Sequence, residues 1–415
     1  MGLLNPMARM LEMLEMPTGP ALLDILPRLA DALSGNGPAL VPVAAGDHDG
    51  LAALAAAFAA GTPLGHPEDD PDDPTAIVVA TSGSTGIPKG TLLSRSALAA
   101  SAAATGQRLG PPGTWLLTLP AEHIAGLQVL LRSIATGTVP EILDTRPPFT
   151  PERFTEAAER LPSGPRYVSL VPTQLHRILG NDHATAALRT FEAVLVGGAA
   201  SPTSLQQRAG AAGIRLVTSY GMSETCGGCV YDGVPLSGVD AAIDPSGRVL
   251  LFGAVLARGY RNQPGHLAFG EEGSRRSFRT DDLAEWAHGR LRILGRVDDV
   301  LITGGLKVAP ARLEAAIAAL PAVAEVVAVG IPDIQWGRRV VAVIVVAKDV
   351  SAPSLEQIRA ACTAVGIAAA VQPKQVVVTA GIPMRGPGKP DRQAAVALAT
   401  AQGTWTPTSG RDLDH

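Results

Sequence analysis

The stretch TSGSTGIPKG (81–90) follows the apolar run AIVVA (76–80), and its reading decides the fold. Glycines, hydroxyls and one lysine packed this closely suit an anion. Glycine lets backbone N–H groups turn toward phosphate oxygens, and hydroxyls add further donors. The commonest loop of this kind, GxxxxGK[ST], sets its lysine at the mouth of a helix with a hydroxyl next. Here Pro88 precedes Lys89 and Gly90 follows it, so that spacing fails. The dinucleotide pattern G-x-G-x-x-G fails too, because the glycines fall at 83, 86 and 90. The loop must hold phosphate in another way.

The chain around it is long enough for two or three domains at 415 residues. A net charge of −4 with no basic tract argues against nucleic acid as a partner. No apolar run approaches the ~20 residues that span a bilayer, so membrane insertion is not expected. The opening MGLLNPMARMLEMLEMP carries Arg9, Glu12 and Glu15 inside its apolar stretch, unlike a secretory signal. Met7, Met10, Leu11 and Leu14 fall at helical spacing and predict a short amphipathic helix packed on the body. Three cysteines without a signal point to the reducing cytoplasm.

From residue 75 onward, apolar strands alternate with helical patterns: TAIVVA then SRSALAASAAAT, TWLLTLP then GLQVLLRSIATG, RYVSLVP then TQLHRIL, AVLVGGA then SPTSLQQRAGAAG, and finally RLVTSYG. That alternation predicts an α/β fold with a parallel sheet covered by helices on both faces. Past about residue 230, short segments such as GRVLLFG, ARGYRNQP and LRILGR suit a small β-rich region. Beyond GRVDDVLITGG the order helix, strand, strand, helix, strand suggests a separate α+β unit of roughly one hundred residues. The expected division is 1–297 and 298–415.

Four further stretches stand in order with the first: SYGMSETCGG (219–228), RTDDLAEW (279–286), GRVDDVLITGGLKV (295–308) and MRGPGKPDRQ (384–393). Together they resemble the adenylate-forming superfamily of acyl-CoA synthetases, luciferases and peptide-synthetase adenylation domains, over residues 75 to 395. The resemblance implies ATP, Mg²⁺ and coenzyme A, an acid first joined to AMP with loss of pyrophosphate, and a second step that passes the acyl group to a thiol. It implies that Thr81, Ser82, Gly83, Ser84, Thr85, Gly86 and Lys89 face the β- and γ-phosphates. A lysine on a loop is a point charge able to follow departing pyrophosphate.

The same resemblance places Tyr220 and Gly221 against adenine, Thr225 near the α-phosphate, and Glu224 on Mg²⁺, with Thr85 a lesser candidate for that ion. Mg²⁺ is a hard cation that favours carboxylate and phosphate oxygens. Asp282 matches the aspartate that accepts from the ribose hydroxyls, although Asp281 stands where the family usually has glycine. Arg296 matches the ribose-side arginine, and Asp298 the hinge about which a mobile C-terminal lid turns. Lys389 matches the lid lysine that bridges the substrate carboxylate and an α-phosphate oxygen, holding two anions in attack geometry. Rotation of the lid would bring Gly304 and Gly305 to the pantetheine arm.

For the acyl pocket, GGAAS (197–201) ends a strand, the usual place for a ligand crevice, with Gly198 toward adenine and Gly197 toward the acid. His123 in LPAEHIAGL, Met222, Gly227 and Gly228 complete the expected lining. The Cys226-Gly-Gly-Cys229 spacing has no second CxxC and no histidine pair, so small residues making room for an acyl group is the preferred reading over zinc or redox chemistry. LPAEHIAGLQVL and GMSETCGGCVYDGVPLSGV, with only about 75 residues ahead of the strand that feeds the phosphate loop, look like the branch that activates o-succinylbenzoate for menaquinone biosynthesis in a compact form. The second carboxylate of that acid could meet His123, Ser169, Thr173 or Arg177. Other readings are a different aryl- or acyl-CoA ligase, a carrier-protein adenylation enzyme, or a nucleotide-binding relic. Small molecules are the expected partners, with a homodimer as the assembly the reading allows.

Overall fold

The computed structural model describes residues 9–81, 88–348, 350–384 and 390–401. The chain divides into two compact units, one formed by 1–201 and 205–292, the other by 202–204 and 293–415.

The first unit holds three sheets. The largest has seven strands, in the order Val234–Pro235, Gly227–Tyr231, Leu216–Met222, Ala193–Val196, Arg166–Leu170, Thr114–Leu117, Glu141–Ile142. The last five are parallel and the first two run antiparallel at one edge. Side chains alternate across each strand. Leu116, Val168, Leu170, Val194 and Val196 therefore share one face, and they pack with Phe154, Leu175, Ile178, Leu188 and Leu205 from the helices there. The helix Ile124–Thr136 contacts the strands Thr114–Leu117, Arg166–Leu170 and Gly227–Tyr231. The expected parallel α/β sheet is thus present.

Two expectations need correction. TAIVVA does not open that sheet: Thr75–Thr81 lies in a separate four-stranded sheet, ordered Leu11–Met16, Ala39–Ala44, Thr75–Thr81, Lys89–Ser94. A run of apolar residues bounded by turns says that a strand is buried, not which neighbours bury it. The expected N-terminal helix is not found among the described residues, where Leu11–Met16 is a strand paired in parallel with Ala39–Ala44; Met7 lies outside them. Leu11, Leu14 and Met16 are buried while Glu12 and Glu15 are exposed. A strand with apolar cover on both faces does not keep strict alternation, and here its spacing coincided with that of a helix turn.

The third sheet is the expected β-rich region, ordered Val239–Ile243, Arg248–Gly253, Arg275–Ala287, Phe269–Glu272, with Arg290–Arg296 also paired to the long strand. In the second unit, Val323–Asp333, Gly337–Val346 and Gln375–Val378 form one sheet. Its two faces are covered by different cores, one with Leu313, Ile317, Ile358 and Cys362, the other with Ala395 and Ala399. The α+β reading of this unit agrees.

Candidate active site

Thr75–Thr81 and Lys89–Ser94 are antiparallel neighbours with Thr81 opposite Lys89, so the two strand ends present both residues together. Thr81 Oγ1 donates to the Lys89 carbonyl at 3.4 Å. Ser82, Gly83, Ser84, Thr85 and Gly86 lie outside the described residues. Lys89–Ser94 is flanked on its other side by the segment 257–266. Leu92 N–H donates to the Gly259 carbonyl (3.0 Å), Arg258 N–H to that of Leu92 (2.8 Å) and Arg261 N–H to that of Gly90 (2.8 Å). Asn262 clamps the same shoulder, its Oδ1 accepting from Gly90 N–H (3.2 Å) and its Nδ2 donating to the Pro88 carbonyl (2.8 Å). This brings Lys89 Nζ to 4.9 Å from the centre of the Tyr260 ring, within cation–π range, and to 3.0 Å from His266 Nε2.

A second construction presents a carboxylate to the same tyrosine. Strand Leu216–Met222 runs into the single turn Ser223–Thr225, and Cys226, at φ 52°, reverses the chain into Gly227–Tyr231. The Thr225 hydroxyl accepts from Met222 N–H (3.0 Å) and donates to the Gly227 carbonyl (2.7 Å). Thr225, expected beside the α-phosphate, is fully buried and committed to this turn. Gln128 Nε2 (2.6 Å) and Ser101 Oγ (3.1 Å) both donate to the Cys226 carbonyl. The strands here leave no room: a Cβ on Gly221 would stand 2.1 Å from the Gly227 carbonyl oxygen, and one on Gly228 2.0 Å from the Ser219 side-chain oxygen. Both glycines are demanded by this close approach, whatever space they also leave for an acid.

The turn offers Glu224, only 9% exposed, whose Oε1 accepts from the Tyr260 hydroxyl at 2.7 Å. Burial, and then the Glu224 charge, push the Tyr260 phenol far up, so it stays a donor. A parallel arrangement stands nearby in sequence. Tyr220 OH donates to Asp282 Oδ2 at 2.7 Å, and burial followed by the Asp282 charge raises that phenol as well. Strand alternation settles the two neighbouring aspartates: Asp282 is buried, whereas Asp281 is exposed and pairs with Arg248 at 3.2 Å. The aspartate that departs from the family pattern therefore points away from the buried pair.

Gly197 and Gly198 follow the strand Ala193–Val196. Gly197 faces Ser219, so that a Cβ there would meet the Ser219 carbonyl oxygen at 3.1 Å, and Gly198 is exposed at φ 81°. His123 is exposed at the start of the helix Ile124–Thr136. A Cβ on Gly227 would lie 3.4 Å from Gln128 and 3.7 Å from Ile124, so that helix start adjoins the turn. Met222 is half-buried at the turn's entrance. Arg177 donates to the Phe149 carbonyl at 3.1 Å. Cys226 and Cys229 are fully buried, which raises both thiols, Cys229 to about 12.

In the second unit, Arg296 pairs with Asp298 at 2.9 Å. Gly304 and Gly305, at φ 55° and 78°, form the two-residue turn between Leu301–Thr303 and Leu306–Val308. Lys389 lies outside the described residues. Just beyond it, Arg392 bonds both oxygens of Glu314 (2.6 and 3.2 Å) and Asp299 (3.3 Å), anchoring the helix Arg392–Ala401.

The structure thus brings Lys89 and Glu224 to the same tyrosine, Tyr260, and joins Tyr220 with Asp282 directly. Tyr260, Asn262, His266 and Gln128 were not among the expected residues. The stretch ARGYRNQP had been noted only as a β-rich segment. Its local signal is a tyrosine between two arginines with an asparagine next, and its pairing with residue 90 spans more than 170 positions.

The profile of the AMP-binding enzyme family matches residues 26–257, and that of the AMP-binding enzyme C-terminal domain matches residues 312–389. A protein of Mycobacterium tuberculosis named probable 2-succinylbenzoate–CoA ligase is 44% identical over 387 residues, covering 92% of this chain and 97% of its own length. The 2-succinylbenzoate–CoA ligase of Escherichia coli is 35% identical over 274 residues, covering 63% of this chain and 57% of its own. A solved structure of an E. coli MenE variant with bound OSB-AMS is 25% identical and superposes with a TM-score of 0.75, covering 95% of this chain and 88% of that one. The chain belongs to the AMP-binding enzyme family.

Proposed function

We infer that the chain is an AMP-forming acid–thiol ligase. It activates 2-succinylbenzoate with ATP, releases pyrophosphate, and passes the acyl group to coenzyme A with release of AMP, a step of menaquinone biosynthesis. The observation that carries the choice of acid is the likeness to a 2-succinylbenzoate–CoA ligase at 44% identity over 92% of this chain. The adenylating motifs are common to the whole family and do not select an acid. A different aryl- or acyl-CoA ligase is the alternative.

The residues divide the work. Attack on an anionic phosphorus requires positive charge and fixed donors where charge accumulates. Lys89, held at the strand end opposite Thr81, supplies charge on the pyrophosphate side. Asp282, steadied by Tyr220, is an acceptor for ribose hydroxyls. We assign Lys389 to the attack itself, bridging acid and α-phosphate, and Asp298 to a hinge that moves it aside before the thiol enters.

Magnesium fits Glu224. Among the described residues no group of three or more His, Cys, Asp or Glu could hold a metal ion. Mg²⁺ in nucleotide sites takes one or two carboxylates plus phosphates and water, so a single buried carboxylate suffices. Tyr260 occupies Oε1, and Oε2 has no partner among the described residues. The ion would supply charge neutralisation to the phosphates. We place the reaction in the cytoplasm; among the described residues no helix is long and apolar enough to cross a membrane.

The test is to incubate the purified chain with ATP, Mg²⁺, coenzyme A and 2-succinylbenzoate. AMP, pyrophosphate and a thioester should appear in equal amounts. Turnover with benzoates or fatty acids but none with 2-succinylbenzoate would sink the assignment.

A further inference from the structure

Lys89 meets a histidine outside the five stretches that carry the family resemblance. Its Nζ lies 3.0 Å from Nε2 of His266, and both side chains are half-buried. The imidazole is fixed from two directions. Ala268 N–H donates to its Nδ1 at 3.1 Å, and the ring stands edge-on to Tyr260 with centroids 5.0 Å apart. A neutral imidazole has one N–H, and with Nδ1 accepting, that hydrogen is on Nε2. Nε2–H and the Lys89 ammonium are then two donors facing each other at hydrogen-bond distance. An ammonium has no lone pair with which to accept. The contact is satisfied when an anionic oxygen takes a hydrogen bond from each group.

The backbone keeps the two donors in this relation. Asn262 and Arg261 tie the segment carrying His266 to Pro88 and Gly90, on either side of Lys89. We propose that His266 is a second ligand of the polyphosphate, donating the Nε2–H of its neutral ring to the pyrophosphate group beside Lys89. This rests on the reading of Lys89 as the phosphate lysine.

Lys89 and Tyr260 touch the ring, and the exposed Asp281 carboxylate acts on it only through its charge. In the free chain, burial and then the Lys89 charge hold His266 below its ordinary 6.5, with Asp281 opposing. The sign follows. The unfolded chain accepts this proton first, so the free protein loses stability as pH falls below 6.5. With Nδ1 held as an acceptor by Ala268 N–H, the ring donates to a bound polyanion through Nε2–H while neutral, so this bond draws no proton from solution.

The experiment is calorimetric titration of the full chain with inorganic pyrophosphate in buffers of different ionisation enthalpy, at pH 6.5 and 8.5. Wild type is compared with His266→Gln, His266→Ala and His266→Arg. Wild type and the Gln and Ala variants should take up equal numbers of protons per pyrophosphate bound. Those variants should bind about tenfold more weakly at both pH values, the scale of one bond to a charged group. His266→Arg should recover affinity. Greater proton uptake in wild type would overturn the neutral donor, and wild-type affinity in His266→Gln and His266→Ala, with acid-dependent AMP formation intact, would overturn the role of His266 alone. Failure of the wild-type chain to bind pyrophosphate, or to release it from ATP, would overturn the reading of Lys89 as well.

Discussion

Two tyrosine–carboxylate pairs stand in the first unit with the same geometry, Tyr220–Asp282 and Tyr260–Glu224, each closed by a 2.7 Å bond. Both carboxylates are buried, and in both the phenol is raised by burial and then by the carboxylate's charge. Their surroundings differ. The Glu224 pair has Lys89 over the tyrosine ring and His266 at its edge. The Asp282 pair has the Thr280 hydroxyl and the Cys229 thiol among its neighbours. On the function proposed above, the same local unit serves two ends of one nucleotide. The carboxylate near Lys89 is there assigned to the phosphates and the metal, and the other to the sugar hydroxyls.

That contrast can be broken by substitution. The largest effect is expected away from both pairs, at Lys389, where Lys389→Ala should nearly abolish adenylation yet spare thioester formation from supplied acyl-adenylate. Equal loss of both half-reactions would deny a lysine that serves only the first. Next comes Glu224→Ala, expected to lower the rate of adenylation by about 10²–10³-fold, the usual cost of removing one electrostatic contributor to a charged transition state. Asp282→Ala should act mainly on the KM for ATP, raising it by about 10–100-fold, the scale of a lost bond to a charged group. Similar kinetic signatures for the two would erase the division between phosphate and sugar ends.

The phenols give a smaller and sharper test. Tyr260→Phe and Tyr220→Phe each leave a buried carboxylate short of a donor, a cost of about 1–3 kcal/mol. Tyr260→Phe should change the Mg²⁺ dependence of the rate, whereas Tyr220→Phe should change discrimination between ATP and 2′-deoxy-ATP. Asp281→Gly should do least, within about twofold in all constants, as for a surface ion pair. A large loss there would mean that Asp281 reaches the site.

The order of strands and helices was legible because amphipathic periods and turn residues are local, and the placement of Asp282 on a β-rich segment follows from its motif. The neighbouring Asp281 was harder to judge, and strand alternation explains why its charge is tolerated. What the sequence concealed depends on pairing between distant segments. The strand Leu11–Met16 carries apolar residues at a spacing shared by helix and strand, and only its partner Ala39–Ala44 decides between them. Thr75–Thr81 was recognisable as a strand, but not as a member of a second sheet. Tyr260 and His266 acquire their roles only through backbone bonds to residues 90–92, far away in the chain. Gly221 was expected beside adenine and Gly228 as room for the acid, whereas the crossing backbone at Gly227 requires the first and the Ser219 side chain the second.

One measurement tests the central claim most directly: exchange of labelled pyrophosphate into ATP, without coenzyme A, across a panel of carboxylic acids. The account predicts exchange that depends on 2-succinylbenzoate and exceeds that with benzoate, succinate or fatty acids by at least about tenfold, the smaller end of what differential binding in a pocket provides. Exchange that ignores the acid supplied, or is absent with 2-succinylbenzoate while present with another acid, would contradict it.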